Sequence, residues 1–229
     1  MQPYFFAYIG YFQLLYAADK FIILDDVNFI NKGWINRNNI LINNKPGLFS
    51  IPLVKSSQNK LIKDIDISYE NNADRQKKFL KTIERSYSKA PYYKEISDIL
   101  SKLILSNEIK ISGLIYKSLI EIKNYLGFET DIIESSEIYS NSELKGQERI
   151  LDICRRENAT QYLNLSGGIE LYSKDSFDDN NIKLNFIRTK NIIYKQFTNE
   201  FTDSLSMIDV LMFNSKDKIR EYIYEYELI

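Results

Sequence analysis

An apolar stretch with helical spacing runs almost directly into a continuous apolar strand that stops at two carboxylates, and this constrains the fold more than any other feature of the chain. Ile9, Phe12, Leu14, Leu15 and Ala18 recur at helical intervals over 9–19. Residues 21–24 are uninterruptedly apolar and end at Asp25 and Asp26. A run bounded in this way reads as a buried, parallel strand. Residues 1–6 read as the end of an earlier strand. Strand, helix, strand is the repeat of α/β proteins, which build ligand sites where their strands end.

The alternation continues along the chain. Residues 36–42 and 48–53 read as two short strands joined by Asn-Asn-Lys-Pro-Gly, a turn signal. Residues 62–67 alternate apolar and charged side chains, as a half-exposed strand would. Helical spacing dominates 72–87, 92–105 and 111–126, the last closed by Gly127 as a C-cap. Short strands are expected at 130–133, 160–163 and 182–187, an amphipathic helix at 147–158, and helices at 205–213 and 216–226. The expectation is one α/β domain over 1–229 with a Rossmann-like, largely parallel sheet. Its helical middle segment, 72–126, is either a subdomain or a crossover.

Histidine is absent from all 229 residues. That excludes a Ser-His-Asp triad, a Cys-His pair and any His-bearing zinc site. Proton transfer falls to Asp, Glu, Lys or Tyr, with pKa values shifted by burial or neighbours. A metal would have to be a hard cation on carboxylates, such as magnesium; no metal ligand and no cofactor is assigned from the sequence. The net charge of −1 supplies no overall field for nucleic acid, so a nucleic-acid partner is not expected. The one cysteine, Cys154, rules out an internal disulfide and fits a reducing, cytoplasmic setting. No run of 18 apolar residues predicts a membrane span, and Gln2, Pro3 and Gly10 break any signal-like stretch.

Six segments hold residues able to carry chemistry. Gln2, Tyr4, Tyr8, Gly10 and Tyr11 flank a helix start. They either offer free amides and stacking faces to a ligand or pack the helix on the sheet. Asp25 and Asp26 sit at a strand end, where one faces a site or both cap the next loop. Lys32, Trp34, Asn36, Arg37 and Asn38 combine the only tryptophan with an arginine fork and two amides. A regular strand there would separate Arg37 from Trp34, Asn36 and Asn38. Gln58 and Lys60 lie in a polar loop that either binds an anion or is only solvated. Gly146 and Arg149 begin a helix whose amino end is an anion site or a capping arrangement. Ser166, Gly167 and Gly168, with Tyr172 beyond, form a turn that suits an oxyanion or phosphate; with no histidine to activate Ser166, a nucleophile elbow is excluded.

Taken in order, these segments resemble the WbqC-like family of bacterial surface-polysaccharide loci. The resemblance rests on Gln2 to Leu14, Asp25 to Val27, Lys32 to Asn38, Ser56 to Lys60 and Ser142 to Gly146 with Glu148 and Arg149. It continues through Gly167-Gly168 with Tyr172 and through Leu205 to Asp209. Ala7 stands where the family usually has proline, and the chain starts a few apolar residues later than the family pattern, so either the first strand is short or the start site is misassigned. The resemblance implies O-antigen and related glycan biosynthesis. It points to a transferase that adds an acyl or aminoacyl group to a nucleotide-linked amino sugar, with an acyl or aminoacyl donor as second partner. Asp25 or Asp26 would then orient or deprotonate the acceptor amine. Arg37, Lys32 and the Gly10 and Gly167-Gly168 loops would hold phosphates or the donor. The alternative is a non-enzymatic protein that binds a sugar nucleotide or scaffolds partner enzymes.

Overall fold

The computed structural model describes residues 1–68 and 72–229. Helix α1 (Ile9–Ala17) leads into β1 (Lys20–Ile22). The hairpin β2 (Arg37–Ile42) and β3 (Lys45–Ser50) follows. Three helices then make the middle: α2 (Asn72–Tyr87), α3 (Tyr93–Ile104) and α4 (Ile111–Leu126). The chain closes with β4 (Asp131–Ile133), α5 (Gly146–Arg156), β5 (Gln161–Leu165), α6 (Lys174–Asp178), β6 (Lys183–Thr189), α7 (Met207–Phe213), α8 (Lys216–Ile223) and β7 (Tyr226–Leu228).

The fold is mixed α/β. Among the described residues its strands form three small sheets, where the sequence led us to expect one largely parallel sheet. β1 pairs in parallel with β4, Phe21 opposite Ile132. β5 pairs in parallel with β6, and β7 adds antiparallel to β6. β2 and β3 are antiparallel. Their turn is shorter than the Asn-Asn-Lys-Pro-Gly signal suggests: Asn43 and Asn44 alone make it, both at positive φ (53° and 60°), which asparagine tolerates.

Most of the core is one cluster in which α1 is central. Its residues from Gly10 to Leu15 are all buried. A helix enclosed on every side needs no polar face, which explains the dense apolar sequence of this segment. Its one polar member, Gln13, is fully satisfied. Nε2 donates to the carbonyls of Tyr222 (2.8 Å) and Glu225 (3.1 Å), and Oε1 accepts from Thr189 Oγ1 (2.7 Å), tying α1 to α8 and β6. A smaller cluster of Ile150, Leu151, Cys154, Phe177, Ile182, Leu184 and Phe186 lies between α5, α6 and β6.

Three expectations are corrected. Residues 1–6 do not form a strand; the chain turns at Phe5 and Phe6, and only Met1 pairs with β1. Residues 62–67 do not form a regular strand: Ile62–Asp64 is a 3-10 turn, Asp66 and Ile67 make isolated antiparallel bridges to Lys110 and Leu53, and Ile62, Ile65 and Ile67 are all buried. The final helix stops at Ile223, and the residues after it add β7 to the edge of β6.

Candidate functional site

The parallel pairing of β1 and β4 brings two pairs of side chains together at their carboxyl ends. Ser135 Oγ donates to Asp25 Oδ1 at 2.6 Å, and Ser136 Oγ donates to Asp26 Oδ1. Both aspartates are buried, 3% and 7% exposed. Their neighbours differ. Arg149 on α5 donates from Nη2 to Asp26 Oδ2 at 2.5 Å and from Nε to Asn141 Oδ1 at 3.0 Å. Asn141 in turn donates to Asp152 at 2.7 Å. Arg149 is itself buried. Asp26 and Arg149 therefore form a desolvated ion pair in which both carboxylate oxygens accept a side-chain hydrogen bond, an arrangement that cannot lose one member cheaply.

Asp25 has no cation in hydrogen-bond reach, and among the described residues Ser135 is the only side chain that donates to it. Burial pushes its carboxyl above the usual carboxylate range; the Ser135 bond and the charge of Lys63 oppose that shift, and Asp26 adds to it. Lys63 is itself paired with Glu137. A buried carboxyl with a raised pKa and one neutral donor is equipped to accept a proton or hold an amine.

The second component is an aromatic face with a cation. Phe6 sits at φ 43°, an uncommon conformation for a bulky residue, of order 1–3 kcal/mol above the usual wells. Asn38 Nδ2 (2.6 Å) and Ser206 Oγ (2.7 Å) both donate to its carbonyl, and the Met207 amide holds the carbonyl of Ala7 at 2.8 Å. On either side of this turn, Tyr4 and Tyr8 stay half-buried. Burial raises both phenol pKa values, so both stay neutral donors at physiological pH. The Tyr4 ring lies 6.2 Å from Trp34, tilted by 30°. The Arg37 guanidinium carbon lies 5.4 Å from the Trp34 ring centre. Arg37 Nε donates to the Gly33 carbonyl at 2.8 Å, and its terminal nitrogens make no hydrogen bond among the described residues. Trp34 is 47% exposed. The irregular backbone before β2 is what brings Trp34 and Arg37 together, where a regular strand would have set them on opposite faces.

A ladder links the two components. The Met1 nitrogen donates to Ile22 O and the Leu24 amide donates to Met1 O, so Met1 lies opposite Ile23. From that point the two segments part: Asp25 follows Ile23 by two residues, and Tyr4 follows Met1 by three, at most about 11 Å of extended chain. An exposed aromatic face, an open arginine fork and a buried carboxyl suit a ligand with a planar ring, an anionic group and an amine.

Other residues singled out from the sequence are placed as follows. Tyr11 is buried and its hydroxyl donates to the Gln2 carbonyl at 3.0 Å. Gly10 serves packing: a Cβ there would meet the Tyr8 ring at 2.5 Å and Thr189 Oγ1 at 2.6 Å. Asn36 Nδ2 bonds the Ile51 carbonyl and Asn38 braces Phe6, so both amides hold backbone. Lys32, Gln58 and Lys60 are exposed, and the Phe29 amide bonds the Lys60 carbonyl, which keeps the polar loop beside the segment after Asp26. Gly146 is exposed at φ 53° before the first full turn of α5. The segment containing Ser166, Gly167 and Gly168 winds into a 3-10 helix, Ser166–Leu171, with Gly168 against the Asn164 amide. Tyr172 Oη lies 3.4 Å from Tyr162 Oη, over the smaller core cluster.

Two polar groups were not among the site candidates read from the sequence. Asn141 links Arg149 to Asp152. Asp209, fully buried on α7, accepts from Tyr87 Oη (2.8 Å), Tyr194 Oη (2.7 Å) and Gln196 Nε2 (2.9 Å). Burial pushes its carboxyl up, against those three bonds. The signal was present: Asp209 is the only charge in the apolar run from Met207 to Phe213. Among the described residues no group of three or more Cys, Asp or Glu is placed to hold a metal ion. No helix among them is long and apolar enough to cross a membrane.

Comparison with known proteins gives two matches. The model of the WbqC-like protein family matches residues 2–221. The uncharacterized protein Rv1507c of Mycobacterium tuberculosis is 27% identical over 226 residues, 97% of this chain and 95% of that protein. No solved structure matches.

Proposed function

Starting from the fact that the chain belongs to the WbqC-like protein family, we propose that it is a transferase of bacterial surface-glycan biosynthesis, working in the cytoplasm. Its acceptor is a nucleotide-linked amino sugar, and it adds an acyl or aminoacyl group to the amine. The observation that supports this reading is the open face of Tyr4, Trp34 and Arg37, to which Asp25 adds a buried carboxyl without a cation. The aromatic face takes the base or sugar ring, and the Arg37 fork takes phosphate. In the reaction the sugar nitrogen bonds to the acyl carbon, Asp25 takes the nitrogen's proton, and the donor's leaving group departs and is protonated. A raised pKa improves a carboxylate as a base for this transfer. Positioning supplies most of the acceleration.

The test is a thermal-shift panel of nucleotides and nucleotide-linked amino sugars, with and without magnesium, followed by assay of acyl transfer to any ligand that stabilises the protein. Stabilisation by an amino-sugar nucleotide, with transfer abolished in Asp25→Asn and binding retained, supports the proposal. Binding without transfer from any donor class identifies a non-enzymatic sugar-nucleotide protein. No stabilisation by any member rejects the site.

A further inference from the structure

Acidic residues are missing from one stretch of the chain. Asp and Glu number 31 in 229 residues, so about five are expected in any 37. Residues 27–63 contain none, against Lys32, Arg37, Lys45, Lys55, Lys60 and Lys63. The net charge of −1 therefore hides a segregated distribution.

The fold gathers most of these cations on two loops, residues 30–35 and 52–59. Each end of one is bonded to an end of the other: Phe29 N donates to Lys60 O at 2.9 Å, and Ile51 N donates to Asn36 O at 2.7 Å. The loops therefore lie side by side. Lys32, Lys55 and Lys60 are exposed, and none of them is in an ion pair among the described residues. Lys63 is paired with Glu137, and Lys45 sits at the far end of the β2–β3 hairpin. Asp66, whose carbonyl accepts from Val54 N, has its charge paired with Lys110 at 2.7 Å.

The same loops expose apolar side chains. Ile30 is 49% exposed, Trp34 47% and Val54 38%. Gly33 N donates to Ile30 O at 3.0 Å, and a Cβ on Gly33 would lie 3.1 Å from the Ile30 Cβ, so Ile30 is held beside Trp34. Lys60 N donates to Ser57 O at 3.0 Å and closes the tip of the second loop. An exposed apolar patch rimmed by polar groups marks an interaction surface.

We propose that these two loops dock the protein on an anionic lipid surface. Ile30 and Val54 enter the headgroup region, Trp34 lies at its level, where an indole is favoured, and Lys32, Lys55 and Lys60 face the lipid phosphates. The charge alone would also suit nucleic acid. A single strand, however, is gripped by aromatic faces and cations and has no use for two open aliphatic side chains, whereas a bilayer interface takes both. Each lysine beside an anionic leaflet contributes about fivefold in affinity. The inference does not rest on the glycan-transferase reading.

Trp34 is the only tryptophan of the chain, so its fluorescence reports docking directly. The full chain is titrated with vesicles of equimolar phosphatidylglycerol and phosphatidylcholine, and with vesicles of phosphatidylcholine alone. The anionic vesicles are expected to co-sediment the protein, to shift Trp34 emission to the blue, and to quench it when their acyl chains carry bromine. Binding should be at least about tenfold weaker on the neutral vesicles, and should weaken between about 0.1 M and about 0.5 M salt as charges are screened. Ile30→Ser with Val54→Ser, and separately Lys55→Gln with Lys60→Gln, should each cost at least about tenfold in vesicle affinity. Ile30 and Val54 stand outside the Tyr4–Trp34–Arg37 face, so their double variant should keep the parent's thermal midpoint and its response to nucleotide sugars. That comparison separates failure of this surface from failure of the ligand site. Absence of binding to the anionic vesicles would overturn the proposal. So would equal binding to both vesicle compositions, or parent-like vesicle affinity in either double variant. Tight binding of a single-stranded RNA without binding to anionic vesicles would overturn it too, and would assign the surface to nucleic acid.

Discussion

Removing the Arg149 side chain while leaving Asp26 in place should destabilise the protein severely, and the size of the loss follows from burial. Arg149 is 5% exposed and Asp26 7%. Arg149→Met fills similar apolar space but strands a carboxylate that water cannot reach. It also takes a donor from Asn141 Oδ1. Breaking one half of a buried pair costs about 3–5 kcal/mol. At roughly 2–4 °C per kcal/mol for a domain of this size, the midpoint should fall by about 6–20 °C. The double replacement Asp26→Leu with Arg149→Met should recover most of that loss, because no buried charge remains. Arg188 and Glu227, paired at 3.0 Å with both side chains about half exposed, provide the control: Arg188→Met should change stability by less than about 1 kcal/mol. The assay is urea denaturation at constant m-value. A loss for Arg149→Met no larger than for Arg188→Met would refute the claim that Asp26 and Arg149 are sealed together.

Asp25 should behave in the opposite sense to a salt-bridged acid. Its folded pKa is raised, so the native state holds a proton that the unfolded state releases, and stability falls as pH climbs from about 3.9 through the folded value. Asp25→Asn should therefore be more stable than the parent at neutral pH, with the difference vanishing below pH ~4; denaturation midpoints across that range check the sign. Gly10→Ala should cost about 1–3 kcal/mol, because its methyl group meets the Tyr8 ring and Thr189 Oγ1, and thermal melts will show it. Tyr87→Phe removes the hydroxyl that donates to Asp209 and accepts from the Leu41 amide. Leaving two buried groups short of a partner should cost about 1–3 kcal/mol by chemical denaturation.

Local patterns in the sequence identified α1, the hairpin and the middle helices, because each carries its own periodicity. Gly127 closes α4 in the left-handed conformation expected of a C-cap, at φ 72°. The failures have a common cause. Ile62, Ile65 and Ile67 resemble alternating strand residues, yet tertiary packing buries all three around a 3-10 turn. Arg149 looked like an anion ligand at a helix start, but its partner Asp26 lies 123 residues away. Asn36 and Asn38 have the chemistry of ligand groups and are held by backbone carbonyls of the turns they brace. Long-range partners decide such cases, and a single sequence does not display them. Asp25, Trp34 and Arg37 were recognisable as site candidates from residue type. That Trp34 and Arg37 stack required the irregular backbone before β2, which regular-strand geometry argued against.

The measurement that most directly tests the account is a calorimetric titration of nucleotide-linked amino sugars into the parent chain, Trp34→Ala and Arg37→Lys. Stacking on an aromatic ring contributes about 1–3 kcal/mol, so Trp34→Ala should weaken binding roughly 5- to 150-fold with little change in stability. Arg37→Lys, which keeps the charge and loses the fork, should weaken it as well. Equal affinities for the parent and both variants would contradict the placement of the site on this face.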